Sequence, residues 1–212
     1  SSAVDQKLDA EESWNYELGI RKQLSDNVRF ESTAFLYDYQ NQVVDASSSS
    51  GFDVTNAGET KSQGIEFGLK SKHDRPNGNA ISTQLSATFV ESTFENGAND
   101  GNDLPYSPKS FGNVGITFHQ KDGHSLFLES VFVGEMYSNA ANTEAGSADG
   151  TVGKIDDHTI VNATFTYKAS DSLDYFVSIK NLFDEKYIAS RNPQGIFPGH
   201  ETQINVGFRK NL

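Results

Sequence analysis

The chain has 212 residues, with 17 Lys and Arg against 29 Asp and Glu, a formal net charge of -12 and a pI near 4.7. That length suits one or two domains, and the acidity excludes a nucleic-acid binder, which needs a basic face. A mean hydropathy of -0.55 and the lack of any apolar run near about 18 residues exclude a helical membrane protein, but not a membrane β-barrel, in which half of each strand can be polar.

The chain has no Cys, which removes disulfides, thiolate catalysis and Cys-based zinc sites. It is poor in aliphatic residues yet holds 15 Phe and 8 Tyr. Residues 1–12 are polar, with no apolar signal core, so either a mature protein begins here or the chain is a piece of a longer one.

Period-two alternation begins at once. Trp14, Tyr16, Leu18, Ile20 and Leu24 share one face, with Glu17 and Arg21 on the other. In the next run Phe35, Tyr37 and Tyr39 change face relative to Val28 and Phe30, which calls for a bulge or a packed inner surface. Ile65, Phe67 and Leu69 then alternate with Glu66 and Lys70, and Ile81, Leu85, Ala87 and Phe89 with Ser82, Gln84, Ser86 and Thr88. Residues 126–133 are apolar on both faces. Alternation resumes at Val161, Ala163, Phe165 and Tyr167, at Leu173, Tyr175, Val177 and Ile179, and at Ile204, Val206 and Phe208. The pattern predicts nine strands over 13–24, 28–43, 59–72, 79–94, 109–120, 124–138, 157–168, 172–181 and 202–211, and only one helical turn, near 182–187.

The connections alternate too. Short turns at 25–27, 72–79, 121–123 and 169–171 separate long connections over 41–58, 95–108, 139–156 and 183–201. Strands of this length and long loops confined to one end are expected of an up-and-down transmembrane barrel. The alternative is a soluble or surface β-domain acting as a binding or adhesion module, with a closed two-sheet core. Nine strands is an odd count for a single-chain bacterial barrel, so either a further strand escapes the pattern or the chain is a part of a barrel, and loops and strands this long, at about 24 residues per strand, fit a large barrel better than a small one.

Residue patterns along most of the chain carry a family resemblance. Asn181-Leu182-Phe183-Asp184-Glu185-Lys186-Tyr187 resembles the NLFD..Y signature of TonB-dependent outer-membrane receptors, and Gly195-Ile196-Phe197-Pro198-Gly199 matches the region that follows it. Glu12-Ser13 with Tyr16-Glu17-Leu18-Gly19, the run Phe35 to Val43, Asn56-Ala57-Gly58 with Gly64-Ile65-Glu66, and Leu104-Pro105 with Pro108 resemble further family patterns in the same order. Two features depart: no Arg follows Pro198-Gly199, and Leu212 stands where the family has Phe or Trp.

The resemblance implies an all-β, antiparallel, partial transmembrane barrel: residues 1–212 form the C-terminal part of a 22-stranded barrel, with the plug upstream. It implies import of a ferric chelate, of the siderophore or ferric dicitrate type, across the outer membrane of a Gram-negative bacterium. A TonB-type partner supplies the energy through the missing N-terminal part, and outer-membrane lipid surrounds the wall. No cofactor is expected.

The residues themselves offer little chemistry. His73, His119, His124, His158 and His200 lack metal spacing, and Asp156-Asp157-His158 comes without a nucleophile motif, so no enzyme and no metal centre are expected. The oxygen-rich run 95–103 is explained as well by turn chemistry as by calcium. Glu17, Arg21, Glu66 and Lys70 suit a hydrated wall. Trp14, Tyr16, Tyr37, Tyr39, Tyr167 and Tyr175 are candidates for aromatic girdles. For capture of an anionic chelate the outer connections supply Arg191 and His200 as donors and Tyr106 and Tyr137 as aromatic walls.

Overall fold

The structure, a computed structural model, describes residues 8–45, 54–56, 58–192 and 195–210. Residues 1–7, the middle of the 41–58 connection, and Asn211 with Leu212 lie outside the described residues. In chain order the strands begin β1 (Glu12–Ser25), β2 (Val28–Gln40), β3 (Val43–Asp45), β4 (Val54–Asn56) and β5 (Glu59–Asp74). They continue with β6 (Ala80–Phe94), β7 (Ser110–His119), β8 (Ser125–Val133), β9 (Met136–Tyr137) and β10 (Lys154–Ile155). The last are β11 (His158–Ser170), β12 (Leu173–Lys180), β13 (Ile188–Ser190), β14 (Phe197–Pro198) and β15 (Gln203–Lys210).

Nine of these form one antiparallel sheet in the order β1-β2-β5-β6-β7-β8-β11-β12-β15, which is chain order with the short strands left out. The short strands pair as β3–β4, β9–β10 and β13–β14, each inside a long connection. The nine predicted strands are therefore present, with two corrections. The second ends at Gln40, and residues 43–45 belong to a separate ladder. The sixth ends at Val133, because Gly134 donates to Ser110 O at 2.8 Å and Met136–Tyr137 turn away to pair with β10. No α-helix occurs among the described residues, and the segment 182–187 is turn and coil.

Register fixes the two faces. Leu18 opposes Ala34, Ala34 opposes Ile65, and Ile65 opposes Phe89. Further along, Leu85 opposes Val114, Ile116 opposes Leu128, Leu128 opposes Ala163, Ala163 opposes Ile179, and Ile179 opposes Ile204. This face is apolar across all nine strands and lies open: Leu18 is 80 % exposed, Trp14 68 % and Val206 75 %. A continuous open face of large apolar side chains is a severe aggregation liability in water and the normal outer surface of a barrel in lipid. No second sheet packs on it among the described residues, so the two-sheet core of a soluble module is not formed. Each end strand, β1 and β15, pairs on one side only, so the barrel is open here.

The opposite face is polar and hydrogen-bonded. Ser86 bonds Asn113, Asn113 Nδ2 donates to Glu129 Oε1 at 2.9 Å, and Asn162 Nδ2 donates to Glu129 Oε2 at 3.1 Å, which stitches four strands together. Arg21 and Arg29 each stand 3.9 Å from Glu31. The face change in β2 needs no bulge, since its register with β5 is unbroken. Phe35 instead stacks on Tyr37 at 5.1 Å, and Tyr37 donates to Glu17 at 2.7 Å.

Phe35 also covers Gly64, its direct partner, where an added Cβ would meet the ring at 2.7 Å; Phe176 covers Gly207 in the same way. At these pairs an aromatic ring laid over a glycine fills the inner surface. The same geometry corrects the girdle: Tyr37 and Tyr39 face inward, opposite Asn15 and Ser13. Trp14 and Tyr16 at one end and Tyr167 and Tyr175 at the other lie on the apolar face.

Candidate functional site: the loop cluster at one end of the wall

The nine-strand wall has almost no core of its own. Of the buried apolar side chains, Phe94 at 2 % exposed, Ile155 at 0 % and Leu104 lie toward the end carrying the long connections, while Ala80 is buried at the short-turn end of β6. Three of the four long connections at this end are tied to one another.

The connection after β6 folds back on its own strand. Gly101 donates to Phe94 O at 2.9 Å, Phe94 to Asn102 O at 3.0 Å, and Leu104 to Ser92 O at 2.8 Å. This closes the oxygen-rich run 95–103 as backbone turns, and no group of three or more potential metal ligands occurs among the described residues. The connection after β8 makes the β9–β10 hairpin, then a turn in which Asp149 accepts from Ser147 Oγ at 2.6 Å, Thr151 Oγ1 at 2.8 Å and Thr151 N at 3.1 Å. Those bonds, the one from Ser147 foremost, hold the Asp149 carboxyl down at about 2.

The connection after β12 starts at Asn181, 3 % exposed and at φ 50°. Its backbone N–H donates to Asn162 Oδ1 at 3.1 Å, and its amide donates to Glu185 O and His200 O, each at 2.9 Å. Thr202 N donates to Asp184 Oδ1 at 3.0 Å, which with Lys186 lowers the Asp184 carboxyl below the usual range. Tyr187 stacks on His158 with centroids 4.0 Å apart and lies against Gly199, whose N–H donates to Tyr187 O at 2.8 Å. The NLFD..Y residues therefore act as a corner that anchors the last connection to β11 and to the start of β15.

Cross-bonds join the three connections. Asp103 N donates to Asn142 Oδ1 at 2.7 Å and Asn142 Nδ2 returns to Asp103 O at 2.9 Å. Tyr106 N donates to Tyr137 O at 2.8 Å, and Arg191 N donates to the Tyr106 hydroxyl at 3.3 Å. Three of the four residues singled out for ligand capture thus come together, from three separate connections. His200 stands apart, its side chain exposed and its carbonyl held by Asn181.

Arg191 lies within this cluster. It is only 8 % exposed, and its guanidinium donates to Gly150 O at 3.2 Å and to Lys154 O at 3.2 and 3.3 Å. All three of its nitrogens therefore have backbone partners. The Tyr137 hydroxyl donates to Glu144 at 2.6 Å, which raises its pKa.

Charge sets the character of this end. Residues 95–109, 134–157 and 181–202 hold eleven carboxylates against four Lys or Arg. Those four are engaged: Lys109 with Asp103 at 3.0 Å, Lys154 with Glu135 at 2.7 Å, Lys186 with Asp184 at 3.0 Å and Glu201 at 2.7 Å, and Arg191 with carbonyls. Sequence reasoning missed Asn142 and Lys154, because a polar loop residue carries no mark of which distant partner it will meet.

Comparison with known proteins gives this geometry its context. The sequence model of the family described as "TonB dependent receptor-like, beta-barrel" matches residues 2–182. A probable TonB-dependent siderophore receptor, PiuA of Acinetobacter baumannii, is 23 % identical over 196 residues, covering 88 % of this chain and 25 % of that protein. The catecholate siderophore receptor Fiu of Escherichia coli K12 is 28 % identical over 112 residues, 51 % of this chain and 14 % of its own length. Among solved structures, the ferric citrate transporter FecA in its unliganded form superposes with a TM-score of 0.77 at 25 % identity, over 94 % of this chain and 31 % of that one. The chain spans about a quarter or less of the length of these curated relatives.

Proposed function

The chain belongs to the TonB-dependent receptor-like β-barrel family, and from that membership we propose that it is the C-terminal wall of a receptor importing a ferric chelate across the outer membrane. The family is one of outer-membrane transport receptors of Gram-negative bacteria. The observation that carries the reading is the wall itself: nine strands in chain order, an open apolar outer face, a hydrogen-bonded polar inner face, and every long connection at one end.

In this reading the outer face sits in lipid, the polar face lines the lumen, and the loop cluster faces the medium. Tyr106, Tyr137 and His200 belong to the ligand-facing surface, and Arg191 shapes that surface from within. The relatives named for siderophores and for ferric citrate support a ferric siderophore or ferric citrate as cargo. Energy comes from a TonB-type partner acting on a plug that the missing upstream part supplies. The chain carries out no catalysis of its own.

The test is uptake of radiolabelled iron by cells that carry or lack the full-length gene, offered as ferric citrate and as a ferric catecholate, with and without a protonophore. Gene-dependent, energy-dependent uptake of one chelate supports the proposal. Equal uptake with and without the gene across a broad chelate panel would count against it.

A further inference from the structure

We propose that the three connections 95–109, 134–157 and 181–202 form one preassembled rigid cap, with Arg191 as its keystone, so that they do not part from one another when the receptor opens. This stands on loop geometry alone and requires no particular ligand.

Long barrel loops are ordinarily exposed, but these enclose side chains of their own. Ile155, Leu104 and the Arg191 side chain are buried in the connections, along with Gly150, Gly153 and Gly195, and Phe94 is buried at the adjoining end of β6. A cluster held by its own cross-bonds opens as a unit or not at all.

Arg191 is what joins the last connection to the middle one. A buried guanidinium is costly unless each donor finds a partner. Among the described residues no carboxylate lies within ion-pair distance of it, and its three nitrogens reach two carbonyls of the middle connection instead. Its own N–H reaches Tyr106 of the first connection, which is tied in turn to Tyr137. One residue therefore touches both other connections. The first and middle connections have further fastenings in the reciprocal Asp103–Asn142 pair and in Asn102 Nδ2, which donates to Ala140 O at 2.9 Å, and neither involves Arg191. A preordered surface loses less conformational freedom when a ligand arrives, and any gating movement then falls to other parts of the receptor mouth.

The absence of Cys from the chain allows clean labelling. Ala98, Ala148 and Ala189 are exposed, one on each connection. Nitroxides placed there in pairs, in the full-length receptor in lipid, report three distances by pulsed electron resonance. Three single, narrow distributions are expected. Arg191→Met, and Arg191→Lys, whose ammonium cannot span both carbonyls, should widen about twofold the two distributions that include Ala189, leaving Ala98–Ala148 narrow. Broad distributions in the parent, or no change on substitution, would overturn the cap. Should the Arg191 variants fail to form a heat-modifiable barrel, the double change Asn102→Ala with Asn142→Ala decides: it should widen the Ala98–Ala148 pair alone, and an unchanged width would overturn the proposal. These distances are read without uptake, so failure of the transport reading and failure of the cap are separate results.

Discussion

Gly199 lies flat against the ring of Tyr187, with its N–H donating to the Tyr187 carbonyl and no room for a Cβ between them. Tyr187 in turn stacks on His158 at the head of β11. The contact pins the return of the last connection before β15 begins. Gly199→Ala is expected to force the two apart at a cost of about 1–3 kcal/mol. The temperature at which the folded band is lost in a heat-modifiability gel should fall, and an unchanged midpoint would mean the contact is looser than described.

Glu129 is the hub of the inner face, accepting from Asn113 and Asn162. Glu129→Leu leaves two amide groups without their acceptor, each worth about 1–3 kcal/mol if no water replaces it. Glu129→Gln keeps one acceptor and should cost less. Urea unfolding of the receptor in liposomes should rank parent, Gln, then Leu in falling stability; an equal effect of both changes would locate the cost in charge rather than in bonding.

The Asp149 turn has a pH signature. Its carboxyl, held at about 2, sits below the unfolded value of about 3.9. The stabilisation is therefore complete above about pH 4 and is lost as pH falls toward 2. A nitroxide at Ala145 should stay immobile from pH 5 down to pH 3 and loosen only below that. In Asp149→Ala it should be mobile throughout. Loosening of the parent near pH 4 would show that the serine and threonine bonds do not hold the carboxylate.

The two faces of β6 should respond differently to charge. Leu85 lies on the apolar face and Thr88 on the polar one. Leu85→Arg is expected to cost about 2–4 kcal/mol on refolding into liposomes, as for a cation set deep in the lipid face, and Thr88→Arg far less. Similar costs at both sites would contradict the assignment of faces.

Much of the wall was legible in the sequence because a strand with one face in lipid and one in water must alternate, and alternation survives without knowledge of any partner. Trp14 to Leu24, Ile65 to Leu69 and Ile204 to Phe208 show it plainly. The strand end at Val133 was not legible, since Met136 and Tyr137 are strand-forming residues just beyond Gly134 and Glu135, and only the Gly134–Ser110 bond shows where the ladder stops. Tyr37 and Tyr39 were misplaced in the girdle because composition marks a residue as aromatic without saying which face its register gives it. Arg191 was the instructive case. A loop arginine in sequence resembles an anion donor, and only the positions of Gly150 and Lys154 show its charge spent on backbone. The NLFD..Y residues drew notice through resemblance, but their bonding as a corner emerges only once Asn162, His200 and Thr202 are in place.

The most direct measurement is a nitroxide scan of residues 84–89 on β6 in the full-length protein in bilayers, comparing collision with oxygen, which favours lipid, and with a water-soluble nickel complex. Residues 85, 87 and 89 should collide with oxygen, while 84, 86 and 88 should favour the nickel complex or be shielded from both, giving a period of two with that phase. A flat profile, or the opposite phase, would contradict a membrane-barrel wall with its apolar face in lipid.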